Sequence, residues 1–284
     1  MATPITVRLW GVRGSIPSPG PNTARYGGNT PCVSLEMGKE RCLILDAGSG
    51  IRILGKHLVK TTMPIMVLLT HEHWDHVQGF PFFAPVYEQD RPLVIFPVER
   101  GLDMLCTLVA QMDGAHFPVA SNQIPAALEC VQADPVHYLA DHGFAMRRHR
   151  TNHPGVCYGY RFDQGGKSLV FMPDNELNPP AGSRVHSTVK EFADFCQGAD
   201  ILMHDAQFTP ADMPHKRGWG HSVVEETCEL AAMAKVKHLI LFHHDPDRTD
   251  AELDEIQAQC RAWFAKNAPE TQVTAGSEGM TLTL

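Results

Sequence analysis

The chain has 284 residues, of which 43% are hydrophobic and 20% are charged, as is usual for a globular protein with a large core. Its formal net charge of −8 disfavours broad electrostatic binding to nucleic acid or to an anionic membrane. Apolar runs stay well short of the roughly 18 residues that a membrane span needs, and no signal-peptide pattern opens the chain, so we expect a cytoplasmic protein.

The predicted strands are short, β-branched apolar runs bounded by turn residues. They cover 5–12, 32–37, 42–48, 65–70, 93–98, 159–162, 168–174, 199–206, 238–245 and 273–284, with a hairpin turn at 164–167. Apolar residues at helical spacing predict helices over 100–112, 187–197, 222–235 and 249–266. Strands dominate early and alternate with helices later. This order predicts an α/β fold of helix-covered sheets in a single domain, residues 1–284.

Four of the predicted strands end in side chains that commonly bind metal ions. Loops beyond strand ends are where α/β scaffolds place chemistry, so these ends are candidates to meet at one rim. The strand ends carry His71, Asp174, His204 with Asp205, and His243 with His244.

The densest group of such side chains is THEHWDH, residues 70–76. In an extended chain, residues two apart point the same way, so His71 and His73 can face one metal ion. Asp75 and His76 follow where the chain turns, and they can face a second ion next to the first. Two adjacent divalent ions, about 3.5–4 Å apart, are a known arrangement for hydrolysis. The position four after His71 is Asp75, which excludes the helical zinc-protease motif.

The segment HEHWDH resembles the H-x-H-x-D-H signature of the metallo-β-lactamase fold, and further motifs match in order along nearly the whole chain. They are DAGSG (46–50), NHPG (152–155), MPDNE (172–176) and LILFH (239–243). The resemblance implies a four-layer αβ/βα sandwich with metal ions at one edge. The two metal sites that it implies are His71, His73, His153 and Asp174 for the first, and Asp75, His76, Asp174 and His243 for the second.

His153 depends mainly on the resemblance, whereas the other donors are also indicated by the strand ends. His243 and His244 compete for the last position. Consecutive residues of a strand face opposite sides, so only one of the two should bind, and the alignment of LILFH favours His243.

A subgroup of this family is indicated by HDAQF (204–208) followed by GWGHS (218–222). The pair resembles the H-E-A-T-F and G-H-S/T motifs of ribonuclease Z-like phosphodiesterases, and the glycine-rich opening, 10–30, resembles their first turn. The resemblance implies that Asp205 holds His221 as a catalytic pair, although aspartate is one methylene shorter than the usual glutamate. Residues 71–85 also partly match class II cyclic-nucleotide phosphodiesterases, but depart at Trp74, where leucine is usual, and in the residues after Gly79.

The substrate expected from these motifs is small. Only 21 positions separate His153 from Asp174, which leaves no room for the tRNA-gripping arm that ribonuclease Z often has there. The short form resembles phosphoribosyl cyclic phosphodiesterases, so we expect a cyclic nucleotide or cyclic ribose phosphate, and no nucleic acid beyond short RNA. In the expected mechanism, the two ions activate a bridging water as hydroxide, Asp75 orients it and His221 protonates the leaving oxygen.

Other functions remain open within and outside this family. A lactonase or ester hydrolase, a ribonuclease Z-like RNA 3′-processing nuclease and a non-catalytic metal-loaded signalling module are the alternatives. A di-iron oxygen reductase usually has glutamate where this chain has His73. The donor set accepts zinc, manganese or iron, of which zinc or manganese is favoured, and a homodimer is plausible by resemblance.

Several further residues have two interpretations. Arg13 and Arg25, in the opening, could meet a phosphate or cover the surface. The basic run RRHR, 147–150, could grip phosphate or form a solvated strand edge, and the edge is favoured. Trp219 could stack on a base or pack its own loop.

Overall fold

The protein is described here by a computed structural model that covers residues 4–98, 107–131 and 134–284. Its strands are β1 (Ile5–Gly11), β2 (Cys32–Met37), β3 (Arg41–Leu45), β4 (Ile65–Leu68), β5 (Pro92–Phe96), β6 (Ala127–Cys130), β7 (Met146–Arg150), β8 (Tyr158–Gln164), β9 (Lys167–Met172), β10 (Ile201–Asp205), β11 (His238–Phe242), β12 (Gln272–Ala275) and β13 (Thr281–Thr283). Its α-helices are α1 (Ile51–Leu58), α2 (Trp74–Val77), α3 (Thr107–Ala110), α4 (Pro135–Asp141), α5 (Val189–Cys196), α6 (Val224–Met233) and α7 (Asp250–Asn267). Short 3-10 helices cover Pro21–Thr23, Phe80–Phe82, Ala84–Tyr87, Ser121–Gln123 and Pro210–Asp212.

Two sheets form the centre of the fold. Their strand orders, over the described residues, are β13-β1-β2-β3-β4-β5-β6 and β12-β11-β10-β9-β8-β7. One apolar core lies between the sheets and includes Leu35 from the first and Phe171 from the second. Separate cores lie under α1 on one outer face and under α5, α6 and α7 on the other. The layers therefore run helix, sheet, sheet, helix, which confirms the predicted αβ/βα sandwich.

Parallel pairing positions the ends of the chemistry-bearing strands. Strand β4 pairs in parallel with β3 and β5, and β10 pairs in parallel with β9 and β11. Strands covered on both faces need apolar residues at every position, which is why β4 and β11 read as continuous hydrophobic runs. The carboxyl ends of parallel neighbours meet at one edge of the sheet, so the residues that follow them are neighbours in space.

The predicted elements agree with the structure at most positions, with informative exceptions. The hairpin at 164–167 is confirmed: Gly165 and Gly166 have φ of 58° and 82°, as a tight two-residue turn requires. The single strand predicted over 273–284 is wrong, because the chain leaves β12 and crosses to the other sheet as β13. Strand β6 and helices α1, α2 and α4 were missed. Of the predicted helix 100–112, residues 100–106 lie outside the described part of the chain.

The single-domain boundary at 1–284 stays a prediction. Across the residues that the structure describes, no helix combines the length and apolarity needed to cross a bilayer.

Candidate metal centre

The carboxyl ends of β4, β9 and β11 bring predicted donor residues to one edge of the two sheets. His71 follows β4 after a short extension, Asp174 follows β9, and His243 comes directly after β11. His71 Nε2 lies 3.6 Å from Asp174 Oδ2, and His243 Nε2 lies 3.5 Å from the same oxygen. The Asp174 carboxylate therefore lies between side chains delivered by different sheets.

A first group of donors consists of His71, His73 and His153, whose ligand atoms all lie within 4.8 Å of one another. His73 Nδ1 is 3.0 Å from His153 Nε2, which in turn lies 3.7 Å from Asp174 Oδ2. These are the four residues predicted for the first metal site.

A second group consists of Asp75, His76 and His243, whose ligand atoms also lie within 4.8 Å of one another. His243 Nε2 is 3.1 Å from Asp75 Oδ2, and His76 Nε2 is 3.3 Å from that oxygen. Asp174 again borders the group, with Oδ1 at 3.1 Å from His76 Nε2. Since Asp174 adjoins both groups, the structure brings all seven predicted ligands together.

The side chains of the cluster fit divalent cations. His71 Nε2, His76 Nε2 and Asp174 Oδ1 are buried and make no hydrogen bond of good geometry, although the last two lie 3.1 Å apart. Leaving a buried polar atom without a hydrogen bond costs about 1–3 kcal/mol, and coordination of a cation would satisfy all three atoms. Imidazole nitrogens and carboxylate oxygens are the donors that zinc, manganese and iron accept.

Hydrogen bonds on the far side of four of the five candidate histidines fix the orientation of their rings. Such outer partners hold a metal-binding imidazole in one orientation and tautomer. The pairs are His71 Nδ1 with Thr70 Oγ1 at 3.1 Å, His76 Nδ1 with Asp46 Oδ2 at 2.8 Å, His153 Nδ1 with the Gly220 carbonyl at 2.8 Å and His243 Nδ1 with Gln207 Oε1 at 2.9 Å.

The carboxylates and histidines of the cluster stabilise each other's charges, although burial disfavours the charged form of each group. Burial alone would raise the pKa of the Asp174 carboxyl, but His243, His76 and His71 hold it well below its ordinary value. Burial likewise opposes a charge on His76, yet Asp174, Asp75 and Asp46 raise its pKa well above the usual range. Burial lowers the pKa of His153 to about 4, which favours the neutral ring that a metal ion needs.

His221 and Asp205 form a pair beside this cluster. His221 Nδ1 lies 2.7 Å from Asp205 Oδ2 and 3.9 Å from Asp174 Oδ2, so the shorter aspartate reaches the histidine. The His221 ring stacks on His243 with centroids 4.9 Å apart. Burial disfavours the charged imidazole, but Asp205 and then Asp174 outweigh it and raise the pKa of His221 to about 9.

The remaining candidates from the sequence lie away from the cluster or face elsewhere. His244 Nε2 contacts the Gly276 carbonyl at 2.8 Å, so its ring turns from the cluster and His243 is the better ligand. The buried Arg13 guanidinium donates to the carbonyls of Gly27, Asp245 and Arg248 and therefore ties loops together. Arg25 pairs with Asp254 at the surface. Strand β7, which holds RRHR, is an edge strand, and Trp219 is 62% exposed.

Three contributors were missed by sequence reasoning. Asp46 was seen only as part of a family motif, although it accepts from Thr70 as well as contacting His76. Ser15 donates its backbone N–H to Asp75 Oδ2 at 2.8 Å. Gln207, whose Oε1 lies 2.9 Å from His243 Nδ1, was missed because one amide side chain within the motif HDAQF does not by itself indicate a role.

A family model described as the β-lactamase superfamily domain matches residues 41–244 of this chain. Curated relatives of this chain include ribonuclease Z of Natronomonas pharaonis, which is 25% identical over 88% of this chain and 92% of the relative. Ribonuclease Z of Bradyrhizobium sp. is 24% identical over 96% of this chain and 98% of the relative.

Solved structures share the whole fold at low identity. The metallo-β-lactamase fold protein YhfI of Bacillus subtilis superposes with a TM-score of 0.68 at 18% identity, covering 99% of this chain and 100% of that one. Zinc-bound PqqB of Methylobacterium extorquens gives 0.67 at 19% identity, covering 98% and 100%. A diphosphatase of the PhnP family gives 0.63 at 16% identity, covering 98% and 97%.

The sandwich with its histidine and aspartate cluster at one edge is that of a metallo-β-lactamase fold hydrolase. The chain belongs to the β-lactamase superfamily, and its sequence is similar to those of ribonuclease Z proteins.

Proposed function

We propose that this protein is a dinuclear metal-dependent phosphodiesterase that cleaves a small or cyclic phosphodiester. The single observation that carries the proposal is the position of His221. Its ring is hydrogen-bonded to Asp205 at 2.7 Å and stacks on His243, and this position supports a role for His221 as proton donor beside the seven candidate ligands. A proton donor in this position speeds the departure of a poor leaving group, in addition to what metal ions contribute.

The two donor groups would hold one divalent ion each, with Asp174 shared between them. Zinc or manganese is the proposed metal, since both accept this mixture of imidazole and carboxylate. When bound, a pair of such ions lowers the pKa of a water molecule and offsets charge on the phosphoryl oxygens.

Two side chains of the protein would then handle the protons. Asp75 Oδ2 already accepts from the Ser15 amide, and the same carboxylate would orient the attacking water toward phosphorus. Despite burial, Asp205 and Asp174 raise the pKa of His221 to about 9, which favours the protonated ring that a proton donor needs. Its Nδ1–H stays with Asp205, and its other ring nitrogen would donate a proton to the leaving oxygen.

The proposed substrate is small because of the chain between His153 and Asp174. Strands β8 and β9 and their tight turn, residues 158–172, take up most of the chain between the two residues. No extended arm therefore leaves the domain at this point to grip a folded RNA.

A second candidate function is RNA 3′-end processing. The names of the curated relatives, ribonuclease Z, favour it, and the same donor groups would serve both substrates.

The proposal is tested with one variant on two substrates. His221→Ala should keep its bound metal and lose about 10²–10⁴ in rate on a cyclic nucleotide, whose alkoxide leaving oxygen needs a proton. The loss on bis(p-nitrophenyl) phosphate should be far smaller, because p-nitrophenolate leaves without protonation.

Two control variants accompany this test. His71→Ala should lose metal and both activities, and His137→Ala, at an exposed position of α4, should change neither metal content nor activity. Equal turnover of wild type and His221→Ala on the cyclic nucleotide would refute the role of His221. Precursor tRNA cleavage without cyclic nucleotide hydrolysis would favour the second candidate.

A further inference from the structure

A cleft of about 440 Å³ lies on the outer side of His153. Its lining includes Arg150, Arg184 and His186, together with Asn152, His153 and Gly220. His153 is a candidate metal ligand, and Gly220 directly precedes His221. The cleft therefore borders the candidate metal centre and shares His153 with its donor set.

The cationic residues of the cleft are not neutralised by acids. Neither Arg150 nor Arg184 forms an ion pair with a carboxylate among the residues that the structure describes. Arg150, Arg184 and His186 line the same cleft, and the pKa of His186 is lowered by burial and then by the two arginines. Glu176, the one acid in the described lining, accepts hydrogen bonds from the amides of Gly218 and Gly220.

The wall that carries these cations is fixed to the candidate metal centre. Asn152, the neighbour of His153, is buried, and its Oδ1 accepts from the amides of His186 at 2.8 Å and Ser187 at 3.1 Å. Its Nδ2 donates to the Ser187 carbonyl at 2.8 Å. One buried amide side chain thus holds the 186–187 segment beside the candidate ligand, so the cleft is formed before any substrate arrives.

We infer that this cleft binds a phosphate of the substrate other than the one that is hydrolysed. The inference rests on the proposed phosphodiesterase function and extends it to the substrate class: a phosphodiester that carries an additional phosphate. The chain as a whole has a net charge of −8, so two arginines at one cleft that lack a carboxylate partner among the described residues are a local exception. Arg150 donates to the Gly155 carbonyl at 2.8 Å, which leaves the positive charges of both arginines for an anion to offset. Arginine's planar fork of N–H donors matches phosphate oxygens well.

The test uses the metal-loaded full chain and the dinucleotide UpU, which has a single phosphodiester. UpU is compared with the same dinucleotide carrying a phosphate at its 5′ end or at its 3′ end. The variants are Arg184→Gln and Arg150→Gln. The matched control is Arg147→Gln, because Arg147 is an exposed arginine near the same edge of the sheet but does not line the cleft. KM and kcat are measured, and calorimetric titration gives binding of the same ligands independently of turnover.

We expect Arg184→Gln and Arg150→Gln each to weaken binding of one phosphorylated dinucleotide about tenfold, the size of one charge-assisted hydrogen bond. The kcat for that phosphorylated dinucleotide should be unchanged in both variants. Binding of UpU should change less than about twofold, and Arg147→Gln should bind every ligand as wild type does. An eight-nucleotide oligouridylate with free hydroxyl ends distinguishes the source. If it shows the same arginine dependence, a backbone phosphate occupies the cleft, and otherwise a terminal phosphate does.

The inference is overturned if both arginine variants bind the phosphorylated dinucleotides as Arg147→Gln does. Failure of the proposed function is a separate result. If wild type cleaves none of these diesters, the phosphodiesterase proposal is rejected for linear substrates, while the titrations still decide whether the cleft recognises the added phosphate.

Discussion

His76 Nδ1 lies 2.8 Å from Asp46 Oδ2, and the same carboxylate accepts from the amide of Thr70 at 2.7 Å through Oδ1. One buried acid therefore orients a candidate metal ligand and fixes the loop that leads to His71. We expect Asp46→Asn to weaken metal binding about 10–100-fold, as losses of such outer partners do. Calorimetric titration with zinc or manganese measures the effect. Asp194→Asn, at an exposed position on α5, is the control and should bind metal as wild type does. Unchanged affinity in Asp46→Asn would contradict the role given to Asp46.

Glycine at position 220 is required by close packing. Its φ is +90°, and a Cβ there would clash with Pro154 and lie 2.5 Å from His153 Nδ1. Gly220→Ala should displace both His153 and the loop that carries His221, so we expect loss of metal and at least a tenfold loss of activity. Metal content and kcat on a cyclic nucleotide check it.

Gly166→Ala is the matched control for the glycine experiment. Gly166 also has a positive φ, +82°, but a Cβ at this hairpin turn would meet nothing within 4 Å. The backbone strain should lower stability by about 1 kcal/mol and leave metal content and activity intact. If Gly220→Ala behaved like Gly166→Ala, the close approach to His153 would not matter for function.

Glu176 positions the loop that carries His221. Its two carboxylate oxygens accept from the amides of Gly218 at 2.8 Å and Gly220 at 3.0 Å. Glu176→Gln replaces one acceptor by an N–H₂ group, which leaves an amide facing a donor at a cost of about 1–3 kcal/mol. We expect kcat to fall severalfold on substrates with alkoxide leaving groups, with metal content retained. A change in metal content with unchanged kcat would show instead that Glu176 acts on the ligands.

The stability of the metal-free protein should depend on pH through His244. Burial lowers its pKa to about 3, with Arg13 and His243 adding to the shift and the Gly276 carbonyl opposing it. In the unfolded chain, the His244 ring binds a proton near pH 6.5, whereas in the folded chain the same ring binds one only near pH 3. The folded state therefore loses stability as pH falls through that interval, by up to roughly 1.4 kcal/mol per pH unit.

Urea unfolding in the presence of a chelator, at several pH values, measures this dependence. His244→Gln cannot titrate, so its stability should fall less steeply between pH 6.5 and pH 4 than that of wild type. His137→Gln, at an exposed position, should keep the wild-type slope. Identical slopes for wild type and His244→Gln would contradict the assignment, whatever the absolute stability of the variant.

The sequence predicted the centre of the fold better than its margins. Strands β4 and β11 are recognisable because parallel pairing and burial on both faces demand unbroken apolar runs. Strand β6 was missed because it is short and only half-buried, and 273–284 was read as one strand because periodicity does not reveal which sheet a segment joins. Tertiary position, rather than local propensity, decides both cases.

The residues of the candidate site also divide into those that local sequence indicates and those that only tertiary contacts reveal. Residues with a strong chemical signature, such as His71 and Asp174, could be nominated from strand ends. Asp46 and Glu176 could not be nominated in this way. Their roles depend on contacts with residues that are distant in sequence, and no local pattern around either acid indicates those contacts. His153 needed the family resemblance, since it lies in a turn with no strand-end signal of its own.

The most direct test of the account is anomalous X-ray scattering from crystals grown with zinc or manganese. The account predicts two peaks per chain, one at about 2.0–2.3 Å from donor atoms of His71, His73, His153 and Asp174, and one at similar distances from Asp75, His76, Asp174 and His243. Crystals that bind metal elsewhere, or that show no peak at these seven side chains, would contradict it.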